Sequence, residues 1–180
     1  MAGTKVTTKK LVKMAMLVAI SVVLVLIVHF PIFPAVPFLE YDPADIPILI
    51  GAFAYGPVVG IILTVVTAVI QGLTVSAGSG IYGIIMHIIA TSAMVLTSSI
   101  IYSVKKTRGR AIVGLLLGIA AMVFVMFFAN LLITPQFMGA TVEQVMGMMV
   151  FILLFNLVKA GINSVVTFFL YKVVSPFLHK

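Results

Sequence analysis

Long apolar stretches separated by short polar or proline-rich gaps set the pattern of this chain. Residues 11–30 are interrupted only by Lys13, Ser21 and His29. Residues 81–104 carry no formal charge, and in 111–133 Asn130 is the only polar side chain. A fourth stretch covers 148–171. Each has the roughly 20 residues that a helix needs to cross a bilayer. Pro31, Pro34 and Pro37 end the first stretch and predict an extended loop to about Asp45. The first stretch is longer than the ~7–15-residue apolar region of a cleaved signal and no small-x-small site follows it, so it reads as a retained helix.

Residues 46–75 are too many for one upright helix and few for two. Parity decides between them. With basic gaps at the start of the chain and at 105–110 on one side of the membrane, and a single span over 81–104, the segment 46–75 must begin and end on the same side. Tyr55-Gly56-Pro57 is the natural break. The expectation is therefore an all-α, integral membrane bundle of six transmembrane helices in one domain. The helices run over about 11–30, 46–55, 57–75, 81–104, 111–134 and 148–174, with the second and third short and broken at Gly56-Pro57.

Composition supports this and removes other classes. The chain of 180 residues is 63% hydrophobic and 8% charged, against about a quarter charged in soluble domains. The net charge of +7 does not signal nucleic acid. Its cations cluster at Lys5, Lys9, Lys10 and Lys13, at Lys105, Lys106, Arg108 and Arg110, and at Lys172 and Lys180. Those positions flank apolar stretches, as the positive-inside rule expects, and predict that both termini are cytoplasmic. There is no cysteine, no metal-spaced cluster and no G-x-x-x-x-G-K-S/T loop. Disulfides, a metal centre and ATP hydrolysis by that loop have no basis. The four acids, Glu40, Asp42, Asp45 and Glu143, all fall in predicted gaps, so no carboxylate relay is expected inside the spans.

One charge does fall deep in a span. Placing Lys159 there costs roughly 2.5–3.5 kcal/mol on insertion scales and needs a reason. Asn156 and Asn163 share its helix face at i−3 and i+4. Gln71, His87 and Asn130 fall at similar depths between the outer surface and the bilayer middle. Together these predict a polar cavity open to the outside, lidded by the loop over 31–45, with Phe38, Leu39 and Tyr41 as its apolar and aromatic walls. Each residue also has a packing reading, as an interhelical hydrogen bond or a satisfied core group. Small residues four apart, Ala15/Ala19, Gly56/Gly60 and Gly114/Gly118, serve either internal packing or docking to a partner helix.

The loop Tyr41-Asp42-Pro43-Ala44-Asp45-Ile46-Pro47, the following Gly51-Ala52-Phe53-Ala54-Tyr55-Gly56-Pro57, Asn130, and Phe155-Asn156-Leu157-Val158-Lys159 resemble the substrate-binding S component of energy-coupling factor (ECF) vitamin transporters, riboflavin-type group. Ala15-x-x-x-Ala19 is similar to the alanine motif with which S components dock their membrane coupling subunit. The resemblance implies a vitamin held under the first external loop, and a membrane coupling subunit and two ATPase subunits as partners, in the bacterial cytoplasmic membrane. It implies no cofactor and no catalytic residue. Riboflavin is the first choice of ligand, on Asn130, Asn156 and Lys159. Riboflavin-type members usually carry Lys-Asn in the third helix, where this chain has Val69-Ile70-Gln71-Gly72. Their fourth helix commonly has a Glu or Asn near its outer end, where the corresponding stretch here reads Gly83-Ile84-Ile85-Met86-His87. Pyridoxine, pantothenate or a thiamine-precursor pyrimidine are the alternatives. A structural assembly protein, and an enzyme built on His87 or Lys159, are the competing readings of other classes.

Overall fold

The computed structural model describes residues 7–179, without the side chain of His179. Lys5 and Lys180 of the basic clusters lie outside the described residues. Six helices follow one another: α1 (Thr8–Ile27), α2 (Asp45–Tyr55), α3 (Pro57–Leu73), α4 (Gly80–Val104), α5 (Arg108–Met138) and α6 (Val142–His179). A two-residue antiparallel pairing of β1 (Phe30–Pro31) with β2 (Glu40–Tyr41) closes the loop between α1 and α2 into a hairpin.

Local chemistry accounts for the ends. Thr7 and Thr107 cap α1 and α5 by accepting from the backbone N–H of Lys10 and Arg110, both at 3.4 Å. Before α6, Thr141 and Gln144 make a reciprocal capping box at 3.3 and 2.9 Å. Pro47 is tolerated in the first turn of α2, where the missing N–H has no intrahelical acceptor. Gly56, at φ 96°, breaks α2 from α3 in a conformation that a side chain would strain. Helix α1 stops at Ile27, three residues short of the expected end, because Phe30 is drawn into the hairpin opposite Tyr41.

Among the described residues four helices are long and apolar enough to cross a membrane, while α2 and α3 are shorter apolar helices. Alternating crossings bring the start of α1, the α2–α3 break, the α4–α5 loop and the end of α6 to one end, termed the basal end. There Lys13 Nζ and the Tyr55 hydroxyl both donate to the Leu178 carbonyl, at 3.0 and 2.9 Å. The hairpin lies at the opposite end.

All ten residues from Asp45 to Ala54 are buried, so α2 is the central rod, packed on by α1, α3, α4 and α6. A helix apolar all round belongs there. Close approach of α4 and α5 depends on Gly114 and Gly118. A Cβ on Gly114 would meet the Ser98 carbonyl oxygen at 2.7 Å, and one on Gly118 the Met94 carbonyl oxygen at 2.9 Å. That small-residue pair is therefore internal packing. Ala15 and Ala19 are exposed. So are large side chains such as Ile27, Val58 and Leu73, each more than 70%. A surface of this kind requires lipid as its solvent.

Candidate solute-binding site

Helix α6 supplies the polar edge of the site. Asn156, Lys159 and Asn163 lie on one face at i, i+3 and i+7 and are all buried. A buried ammonium needs a counter-charge. Lys159 Nζ donates to Asp42 Oδ2 at 2.7 Å. Asp42, three residues before α2, reaches this depth because the hairpin folds down over the bundle. Its other oxygen accepts from the Ala44 backbone N–H at 3.0 Å, and Gln71 Nε2 approaches Oδ2 at 3.4 Å. Burial alone raises the Asp42 carboxyl. The charge of Lys159, reinforced by His87 and by the hydrogen bonds from Lys159 and the Ala44 N–H, holds it below the ordinary 3.8.

A second carboxylate lies beside the first. Asp45, the first residue of α2, is fully buried. It accepts from Thr91 Oγ1 at 2.7 Å and Asn163 Nδ2 at 3.1 Å, with His87 Nε2 at 3.8 Å. Asn163 also donates to the Asp42 carbonyl at 3.2 Å and accepts from the Tyr41 hydroxyl at 3.1 Å. Burial and the neighbouring Asp42 push the Tyr41 phenol up, which keeps it protonated and able to donate. Ser21 of α1 adds a bond to the Ala44 carbonyl at 3.0 Å. The segment from Tyr41 to Asp45 is thus pinned to α1, α3, α4 and α6 by side-chain hydrogen bonds.

Under this pinned segment is a cavity of roughly 820 Å³, counted with its open mouth. Of the expected site residues, Phe38, Leu39, Gln71, His87, Asn156 and Lys159 line it. Gln71 Oε1 and His87 Nε2 are buried with no hydrogen-bond partner. A buried polar atom left unpaired costs ~1–3 kcal/mol. A smaller adjoining cavity of about 420 Å³ shares Phe38, Leu39, Gly83, Met86 and Met126 with the first. Tyr82 and Phe137 add aromatic surface to it.

Three expected contacts are placed differently. Tyr41 and Asn163 do not line the main cavity; they are spent on each other and on the two aspartates, bracing the lid. Asn130 borders the smaller cavity. Its amide donates to the Met126 carbonyl at 2.7 Å and accepts from Thr134 at 2.8 Å, so its polar atoms bond within α5. Asp42 and Asp45, which the sequence places in a gap between spans, are nonetheless buried, 4% and 0% exposed. A signal for them was present: the buried Lys159 demanded an acid, and three of the chain's four acids stand at 40–45. Among the described residues no group of three or more His, Asp or Glu side chains could hold a metal ion.

A multi-pass membrane bundle with one lidded polar cavity at its hairpin end is the architecture of a membrane subunit that holds a small solute. The sequence profile described as "ECF transporter, substrate-specific component" matches residues 9–171, and the chain belongs to that family. A solved structure described as the S component of a bacterial ECF transporter superposes with a TM-score of 0.82 at 31% identity, covering 96% of this chain and 98% of that one. The riboflavin transporter FmnP of Bacillus subtilis is 34% identical over 132 residues, covering 72% of this chain and 68% of its own length. The riboflavin transporter RibU of Staphylococcus aureus is 30% identical over 179 residues, covering 96% and 93%. This chain is thus the substrate-specific component of an ECF transporter, a multi-pass protein of the cell membrane.

Proposed function

We propose that this chain captures riboflavin from outside the cell and delivers it together with a membrane coupling subunit and two ATPase subunits, its termini facing the cytoplasm. The observation that carries the ligand is the pair of joined cavities beneath the hairpin. One is polar, edged by Gln71, His87, Asn156 and the Lys159–Asp42 pair; the other is apolar and aromatic. Riboflavin has the same division, a flat tricyclic ring and a polyhydroxylated chain. The riboflavin names of the relatives add support. The basic residues of the basal end support the orientation.

The proposal casts the chain as a binding subunit that leaves its ligand chemically unchanged. The test is to purify it in detergent and identify the released small molecule by visible absorbance and mass spectrometry. A yellow preparation yielding intact riboflavin, with affinity reduced in His87→Ala and Asn156→Ala, is the expected result. A colourless preparation that rebinds pyridoxine, pantothenate or a pyrimidine and not riboflavin would overturn the ligand. Failure to bind any of them would favour a structural role.

A further inference from the structure

A second cavity, unrelated to the hairpin, opens at the basal end between α4, α5 and α6. It encloses about 1,060 Å³ counted with its mouth. Its rim carries three cations, Lys106 from the α4–α5 turn, Arg108 at the start of α5 and Lys172 from α6, all exposed. Its floor is aromatic: Phe53 stacks on Tyr102 with centroids 4.5 Å apart, and Tyr171 meets both rings edge-on at 5.5 and 5.7 Å. The N-terminus of the 31-residue α5 begins at Arg108 on the same rim, adding backbone N–H groups and the positive end of a helix dipole.

Charge balance makes this cavity unusual. All four acids of the chain lie elsewhere: Glu40, Asp42 and Asp45 at the hairpin end, and Glu143 in the first turn of α6 at that same end. Among the described residues no Asp or Glu side chain lines this cavity or pairs with its three cations. The geometry points to a phosphate-binding site, in which the two lysines and Arg108 hold the oxygens of a phosphoryl group while the aromatic floor covers its apolar portion. Arg presents a planar fork suited to phosphate. On the orientation proposed above, this end meets the leaflet rich in anionic lipid, where basic pockets between membrane helices take phospholipid headgroups. Phe169, beside the rim and 68% exposed, offers a surface for an acyl chain. The same chemistry would take a soluble phosphate ester.

Native mass spectrometry of the full chain, from detergent holding equal phosphatidylglycerol and phosphatidylcholine, tests the lipid source. Wild type should retain one phosphatidylglycerol in preference to phosphatidylcholine. Lys106→Gln/Arg108→Gln/Lys172→Gln should lower the retained fraction at least about tenfold, and Lys172→Gln alone should lower it partly. The control Lys105→Gln/Arg110→Gln, at the same end but outside the cavity, should leave it unchanged. A parallel melt with inorganic phosphate tests the soluble source. Stabilisation of wild type but not of the triple variant, without lipid retention, assigns the site to a free phosphate. Binding of neither probe, or equal losses in the control and the triple variant, would overturn the proposal. Ligand binding at the hairpin end, some distance away, reports whether the variants are folded.

Discussion

Lys159 and Asp42 form a pair in which neither residue is tolerable alone. Removing one partner of a buried ion pair leaves an uncompensated charge and costs about 3–5 kcal/mol, whereas removing both can be near neutral. Lys159→Met should therefore destabilise the protein by about 3–5 kcal/mol, and Asp42→Asn/Lys159→Met by clearly less than the sum of the two single changes. Melting of all four proteins in detergent completes the cycle; strict additivity would mean that the 2.7 Å contact contributes no coupling. Ligand affinity should fall in every variant, because the pair both holds the lid and edges the cavity. Lys159 and Asn156 were legible as an unusual polar face on an apolar helix. Asp42 is not legible in this way, because a carboxylate in a proline-rich loop reads as solvated until the loop is seen folded inward.

At the scale of elements, the glycine and alanine pairs divide into inward and outward sets. The carbonyls of Ser98 and Met94 leave no room above Gly114 and Gly118. Gly114→Ala should cost about 1–3 kcal/mol by forcing α4 from α5. Gly161→Ala, with nothing within 4 Å of the new methyl, should not destabilise; thermal melts of the two side by side check the contrast, and equal behaviour would remove the close-approach argument. Ala15 and Ala19 lie on the exposed face of α1, and the resemblance of Ala15-x-x-x-Ala19 to the docking motif of S components predicts that this face meets the coupling subunit. Ala15→Trp/Ala19→Trp should abolish uptake in vesicles reconstituted with the ATPase and coupling subunits, while ligand affinity of the isolated chain stays within about twofold. Unchanged uptake would place the docking surface elsewhere. Sequence pairs alone could not be sorted into these two sets, since four-residue spacing is common to both.

For the whole molecule, the number of helices, the break at Gly56-Pro57 and the membrane setting were determined by sequence. They depend on local quantities: the length of apolar runs, the inability of proline to continue a helix, and the cost of charge in lipid. The positions of Lys159, Asn156, Gln71 and His87 near one depth followed by the same counting along helices. Tertiary structure decided what counting cannot reach. It folded the hairpin over the bundle, brought Asp42 to Lys159 across 117 residues, and spent Tyr41 and Asn163 on bracing. It also turned the amide of Asn130 back onto its own helix. Periodicity along one helix says which residues share a face. Which loop comes down to meet that face depends on packing between elements distant in the chain.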